Sequence, residues 1–173
     1  MSDCVLFASL FAAYAVLHTA TAGGPQAFEL FDLHFVFIET MLLLASSYTC
    51  GLALLFAHEG SARRTGIALF ATLILGLGFL GMELHEFSGL LAEGHGPAAS
   101  AFLSSFFTLV GTHGLHIAAG SLWMLALFLH IGKNGITERT LQSIRSFSLF
   151  WHFLDIVWIC IFSFVYLFGA LSL

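Results

Sequence analysis

Residues 145–171 read RSFSLFWHFLDIVWICIFSFVYLFGAL, an apolar and aromatic run that holds one imidazole, His152, and one carboxylate, Asp155, in its interior. Crossing the hydrocarbon core of a bilayer takes about 20 predominantly apolar residues at ~1.5 Å each, so the run is long enough to span. An isolated charge at the bilayer centre costs roughly 2.5–3.5 kcal/mol on insertion scales, so an acid and a base one helical turn apart in such a segment are rarely idle. The fold therefore follows from asking whether the rest of the chain is built the same way, and the function from asking what the polar pair serves.

The composition answers the first question. Of 173 residues, 59% are hydrophobic and 9% are charged, against about 25% charged in a soluble domain. Twenty phenylalanines stand beside three tyrosines, and a ring without a polar handle faces lipid at no hydrogen-bonding cost. The chain reads as an all-α integral membrane protein. Its net charge of −5 reflects a shortage of basic residues, with no basic patch suited to nucleic acid. Cys4, Cys50 and Cys160 lie in apolar runs without a CxxC pair, which fits small buried hydrophobes and neither a disulfide framework nor a thiolate metal site. The first apolar run, followed by Ala20-Thr21-Ala22, has the outline of a signal peptide, but the start MSDC carries Asp3 and no basic residue, so it is read as a retained helix.

Five segments reach spanning length, at approximately 2–21, 33–57, 65–91, 99–131 and 145–171, in one domain covering 1–173. The breaks are short: TAGGPQAFELFD (21–32), HEGSARR (58–64), AEGHGPAAS (92–100) and GKNGITERTLQ (132–142), and both prolines, Pro25 and Pro97, fall in them. Short connections make sequential helices antiparallel neighbours in a bundle. Arg63 and Arg64 lie between spans two and three, and Lys133, Arg139 and Arg145 between spans four and five, while the other connections hold no Lys or Arg. The positive-inside rule then predicts a cytoplasmic N-terminus and a periplasmic C-terminus.

Polar residues recur inside the spans. GTHGLHIAAG (111–120) puts His113 and His116 one turn apart, as His152 and Asp155 are on the last span, and residues three apart share a helix face. Counted along antiparallel helices, both pairs fall near one depth, which predicts an interhelical cluster of His113, His116, His152 and Asp155. Gly111 and Gly114 are expected to let another backbone approach beside it. Glu83 and Glu86 in ELHE (83–86) and Glu39 in FIETMLLL (37–44) lie in the outer half, and Asp3 opens the first span. Three readings stay open on the residues alone. One is a haem or di-metal site, although di-iron bundles use Glu-x-x-His on two helices and this chain offers His-x-x-His, His-x-x-Asp and Glu-x-x-Glu. A second is a proton or quinone path, for which no polar trail to both surfaces is traceable. The third, which the pattern favours, is a set of hydrogen bonds fastening helices together. Trp151 and Trp158, one heptad apart, read as packing or interface anchors.

GTHGLH (111–116), followed by LFWHFLDIVWICIF (149–162), closely resembles subunit III of the haem-copper respiratory oxidases. MSDCVLFASLFAAYAV (1–16) is similar to that family's acidic helix and GMELHEF (81–87) to its Glu-rich one, in order along essentially the whole chain. Within the family the chain is most similar to the bo-type ubiquinol oxidases, whose third subunit has five spans where the cytochrome c oxidase counterpart usually has seven. Those relatives carry a polar tail and part of the first helix before the position of Met1, so Met1 is expected to be an internal methionine or a trimmed start.

The resemblance implies a non-catalytic subunit of a proton-pumping ubiquinol oxidase in the bacterial cytoplasmic membrane. It implies no haem, copper or catalytic residue in this chain, those cofactors belonging to subunit I, and partners in subunits I and II and a small subunit IV. It further implies that the chain stabilises subunit I and holds phospholipids. Asp3 matches the family's carbodiimide-reactive acid, as an Asp in place of the usual Glu. The polar cluster, with Glu83 as a further member, becomes a structural core. Arg63 and Arg64 are candidate partners for a lipid phosphate through charge-assisted hydrogen bonds, against the plainer role of exposed topology determinants. The competing expectation is an independent membrane redox protein with haem or a di-metal centre on His113, His116 and His152.

Overall fold

The computed structural model describes residues 2–18, 20, 33–94 and 96–167, and all regular structure among them is helical. The helices are α1 (Ser2–Leu17), α2 (Leu33–His58), α3 (Ala62–Ala92), α4 (Ala101–Asn134) and α5 (Glu138–Ile161), the last continued by a π-helical turn, Phe162–Leu167. Four of them, α2 to α5 with its π turn, are long and apolar enough to cross a membrane. The fifth, α1, is apolar but has 16 residues, about 24 Å at the helical rise against a hydrocarbon core of ~30 Å. The expected first span of 2–21 and last of 145–171 both run into residues outside those described, as does the first connection with Pro25.

Elsewhere the helices exceed the expected spans for a physical reason. Hydropathy marks only what sits in hydrocarbon, whereas a helix continues until its backbone is capped. The last helix begins at Glu138, seven residues before the expected 145, because Thr137 accepts a hydrogen bond on Oγ1 from the Thr140 amide at 3.2 Å. The fourth begins after Ser100, whose Oγ accepts from the Leu103 amide at 3.1 Å, and ends where Gly135 takes φ +68°.

Helices α2, α3, α4 and α5 close a ring, each packed on its two neighbours, with α2 against both α3 and α5. Helix α1 lies outside the ring, mainly against α4. The ring is filled by large side chains with no exposure, among them Phe79, Phe106, Phe147, Trp158 and Tyr166, while Leu115, Leu122 and Leu149 on the outer faces are each more than 70% exposed. A greasy outside around an equally greasy inside leaves little hydrophobic force to hold helices together in lipid, so hydrogen bonds and close fit carry more of that burden.

Candidate functional site

The interior is stacked in three layers along α5. In the first, the Trp151 ring lies between the backbones of two neighbouring helices. A Cβ added to Gly76 of α3 or to Gly120 of α4 would come within 2.9 Å of it. Its Nε1–H donates to Ser46 Oγ of α2 at 3.1 Å. One indole thus touches all three other helices of the ring. In the second layer, two turns on, Trp158 donates from Nε1 to Thr40 Oγ1 of α2 at 3.0 Å. Its ring packs against Phe79 of α3 at 4.6 Å and His113 of α4 at 5.1 Å between centroids.

The α2 hydroxyls are aimed for this. Ser46 donates to its own helix at Leu43 O, 2.7 Å, and Thr40 at Val36 O, 2.9 Å, so in both a lone pair is left for the indole. Thr40 and Ser46 are six residues apart on one helix and Trp158 and Trp151 seven apart on its antiparallel neighbour, so a hydroxyl meets an indole in both layers. Beside this seam Ser47 Oγ and His152 Nδ1 share a hydrogen bond of 2.6 Å, with the Asp155 carboxyl also adjacent to Ser47.

The expected four-residue cluster is therefore divided. His152 and Asp155 turn to α2. His113, fully buried, donates from Nε2 to the Leu154 carbonyl of α5 at 3.1 Å, and its Nδ1 has no partner. His116 donates from Nδ1 to Thr112 O at 2.7 Å, and its Nε2 faces Asp3 Oδ1 of α1 at 3.8 Å. No hydrogen bond or ion pair joins the α4 histidines to the side chains of His152 or Asp155. The reason is rotational: depth along two helices can be counted from the sequence, but α5 touches both α2 and α4, and the 152/155 face is the one turned to α2.

The third layer is carboxylic. Glu39 of α2 and Glu83 and Glu86 of α3 lie within interaction range of one another, and Tyr166 of the π turn donates to Glu86 Oε2 at 2.9 Å. Neither oxygen of Glu39, nor Oε2 of Glu83, has a hydrogen-bond partner. Glu83 rests on Gly114 of α4, where a Cβ would overlap the whole carboxyl group, and Gly111 faces the Phe87 ring. Those two glycines admit side chains of α3, where a second backbone was expected.

At the basic end, Arg64 pairs with Glu59 at 3.6 Å and its guanidinium lies over the Phe56 ring at 5.9 Å. Arg63 instead lines an open groove of about 550 Å3 between α3 and α4, with Ile67, Phe70, Phe128 and Gly132. Among the described residues, no group of three or more His, Cys, Asp or Glu is placed to hold a metal ion.

The seam of hydroxyls was missed at the sequence level, although Thr40, Ser46 and Ser47 stand together in TMLLLASS, six and seven residues apart, close to the seven that separate the two tryptophans.

Comparison with known proteins places this interior in context. Residues 1–170 match the protein family described as cytochrome c oxidase subunit III. The chain is 57% identical over 171 residues to cytochrome bo(3) ubiquinol oxidase subunit 3 of Pseudomonas aeruginosa, covering 99% of this chain and 82% of that one. It is 52% identical to the protein of the same name from Pseudomonas putida, covering 99% and 83%. It is 46% identical to quinol oxidase subunit 3 of Bacillus subtilis, covering 97% and 82%.

Proposed function

This chain belongs to the cytochrome c oxidase subunit III family, and from that premise we infer that it serves as subunit III of a ubiquinol oxidase, a haem-copper enzyme of the respiratory chain. Its part in that enzyme is non-catalytic. The haems and copper belong to subunit I, where quinol is oxidised and oxygen reduced, and this chain stabilises that subunit alongside subunit II and a small subunit IV. It forms one domain of five spans in the bacterial cytoplasmic membrane, with α1 as the first, the N-terminus inside and the C-terminus in the periplasm.

The observation that carries this reading is where the interior donors and acceptors go. The two indoles and His152 are engaged with α2 hydroxyls, His113 with a backbone carbonyl, and His116 with a carbonyl and Asp3. All of these except the His116–Thr112 bond, which lies within α4, join helices, and His113, His116, His152, Asp155 and Glu83 act as a structural polar core. Asp3 occupies the family's acidic position, and its partner here is His116. Arg63 supplies the cation for a phospholipid phosphate in the groove it lines, while Arg64 is held by Glu59 and Phe56.

Purification of the tagged chain in mild detergent tests the assignment. The expected result is co-purification with a larger haem- and copper-containing subunit, and a colourless chain once the subunits are separated. Reduced-minus-oxidised haem bands that stay with the isolated chain would overturn it in favour of an independent redox protein. For the lipid role, Arg63→Gln is expected to lower retention of anionic phospholipid in native mass spectra, and unchanged retention rejects it.

A further inference from the structure

Between α3 and α4, at the end of the bundle away from the basic residues, a second groove of about 530 Å3 opens beside Glu83. Gly111 and Gly114 form part of its α4 wall, with Glu83 and Phe87 of α3 lying against them, and its rim is apolar, with Leu84 and Leu115 among the most exposed side chains. Glu83 is 2% exposed, yet it lines this groove and its Oε2 has no partner. The other polar groups on the wall are Thr108 and Thr112. Their hydroxyls donate to the carbonyls of Ser104 at 2.7 Å and Thr108 at 2.6 Å, which leaves their oxygens as acceptors.

The groove thus offers acceptors, and behind Glu83 stand the carboxyls of Glu86 and Glu39. No Lys or Arg occurs between Arg64 and Lys133, so the chain supplies no counter-charge there. A carboxyl buried without a partner either keeps its proton or takes a paired, hydrogen-bonded cation. An occupant that fits must enter from lipid, carry positive charge and bring N–H donors.

We propose that this groove is a headgroup-selective lipid site, in which the primary ammonium of a phosphatidylethanolamine reaches the Glu83 carboxyl group and its acyl chains lie along Leu84 and Leu115. The ammonium offers three donors where a choline headgroup offers none and a glycerol headgroup brings a like charge. The site is separate from the groove at Arg63, whose charge selects the opposite kind of head.

The test uses the intact oxidase complex, exchanged into nanodiscs of equal phosphatidylethanolamine, phosphatidylcholine and phosphatidylglycerol, with retained lipids identified by native mass spectrometry. The expected result is a roughly tenfold preference for phosphatidylethanolamine over phosphatidylcholine, the size of one charge-assisted hydrogen bond. Glu83→Gln should abolish that preference, and Gly111→Leu, which fills the groove and keeps the acid, should do the same. Equal retention of the three lipids overturns the proposal, as does a preference that survives Glu83→Gln or a quinol recovered in place of the lipid. Should the variants fail to assemble, a phosphatidylethanolamine with a photoreactive headgroup decides the matter on the wild-type complex. Labelling within 80–87 or 107–118 supports the site, and labelling confined to other residues or to a partner subunit overturns it.

Discussion

Trp151 shows how a single side chain sets the tolerances of this bundle. Its ring fills the space that Gly76 and Gly120 leave open, and Phe150 crowds Gly120 at 3.1 Å from the position of a Cβ. Gly120→Ala therefore forces an overpacked core, and a loss of about 1–3 kcal/mol is expected in reversible unfolding in detergent. Gly51→Ala, where nothing lies within 4 Å of the new Cβ, is the control and should be neutral or stabilising. Trp158 allows a sharper comparison. Thr40→Val keeps the shape but strands the indole N–H, at a cost of about 1–3 kcal/mol, whereas Thr40→Ser keeps the acceptor and should unfold near the wild-type midpoint. Equal effects of the two substitutions would mean that the hydrogen bond contributes nothing. At this scale the sequence was half legible. WHFLDIVW marked the residues that matter, because polar groups in an apolar run stand out. Their partners did not, because Ser46, Ser47 and Thr40 are ordinary helix residues until the rotation of α2 is known.

Among the helices, the α2–α5 seam is the unit that the sequence reading assigned elsewhere. Spacing gave the helices and their order, since apolar runs broken by HEGSARR and GKNGITERTLQ leave little freedom. It gave depth as well, but which two faces meet depends on packing angles that no single helix encodes. Glycines in GTHGLH read as a place for a neighbouring backbone, and a neighbouring carboxyl group filled the space instead. The seam predicts coupling between its members. In a double-mutant cycle of Ser47→Ala and His152→Ala, an interaction of about 0.6 kcal/mol is expected, the typical value for a side-chain hydrogen bond between membrane helices. The same cycle between Ser47 and His116, which share no bond, should be additive. A cycle with no coupling at Ser47–His152 would show that the 2.6 Å contact does not fasten the two helices.

For the molecule as a whole, the charge pattern along the ring of helices predicts a direction. All five Lys and Arg residues lie in or beside the α2–α3 and α4–α5 connections, which sit at one end of the ring. A periplasm-active reporter fused after Gly96 is expected to be active, and one fused after Gly60 or Gly135 inactive. The reverse pattern would invert the orientation drawn from the positive-inside rule. The order in which the helices find one another also bears on synthesis. Helix α1 meets its main partner only in α4, and α2 meets the donors of its hydroxyl seam only in α5. A nascent chain leaving the translocon therefore pairs α2 with α3 at once but carries α1 without its main partner until α4, and a product truncated before Glu138 keeps Thr40, Ser46 and Ser47 without their α5 partners, a mark that membrane quality control can read.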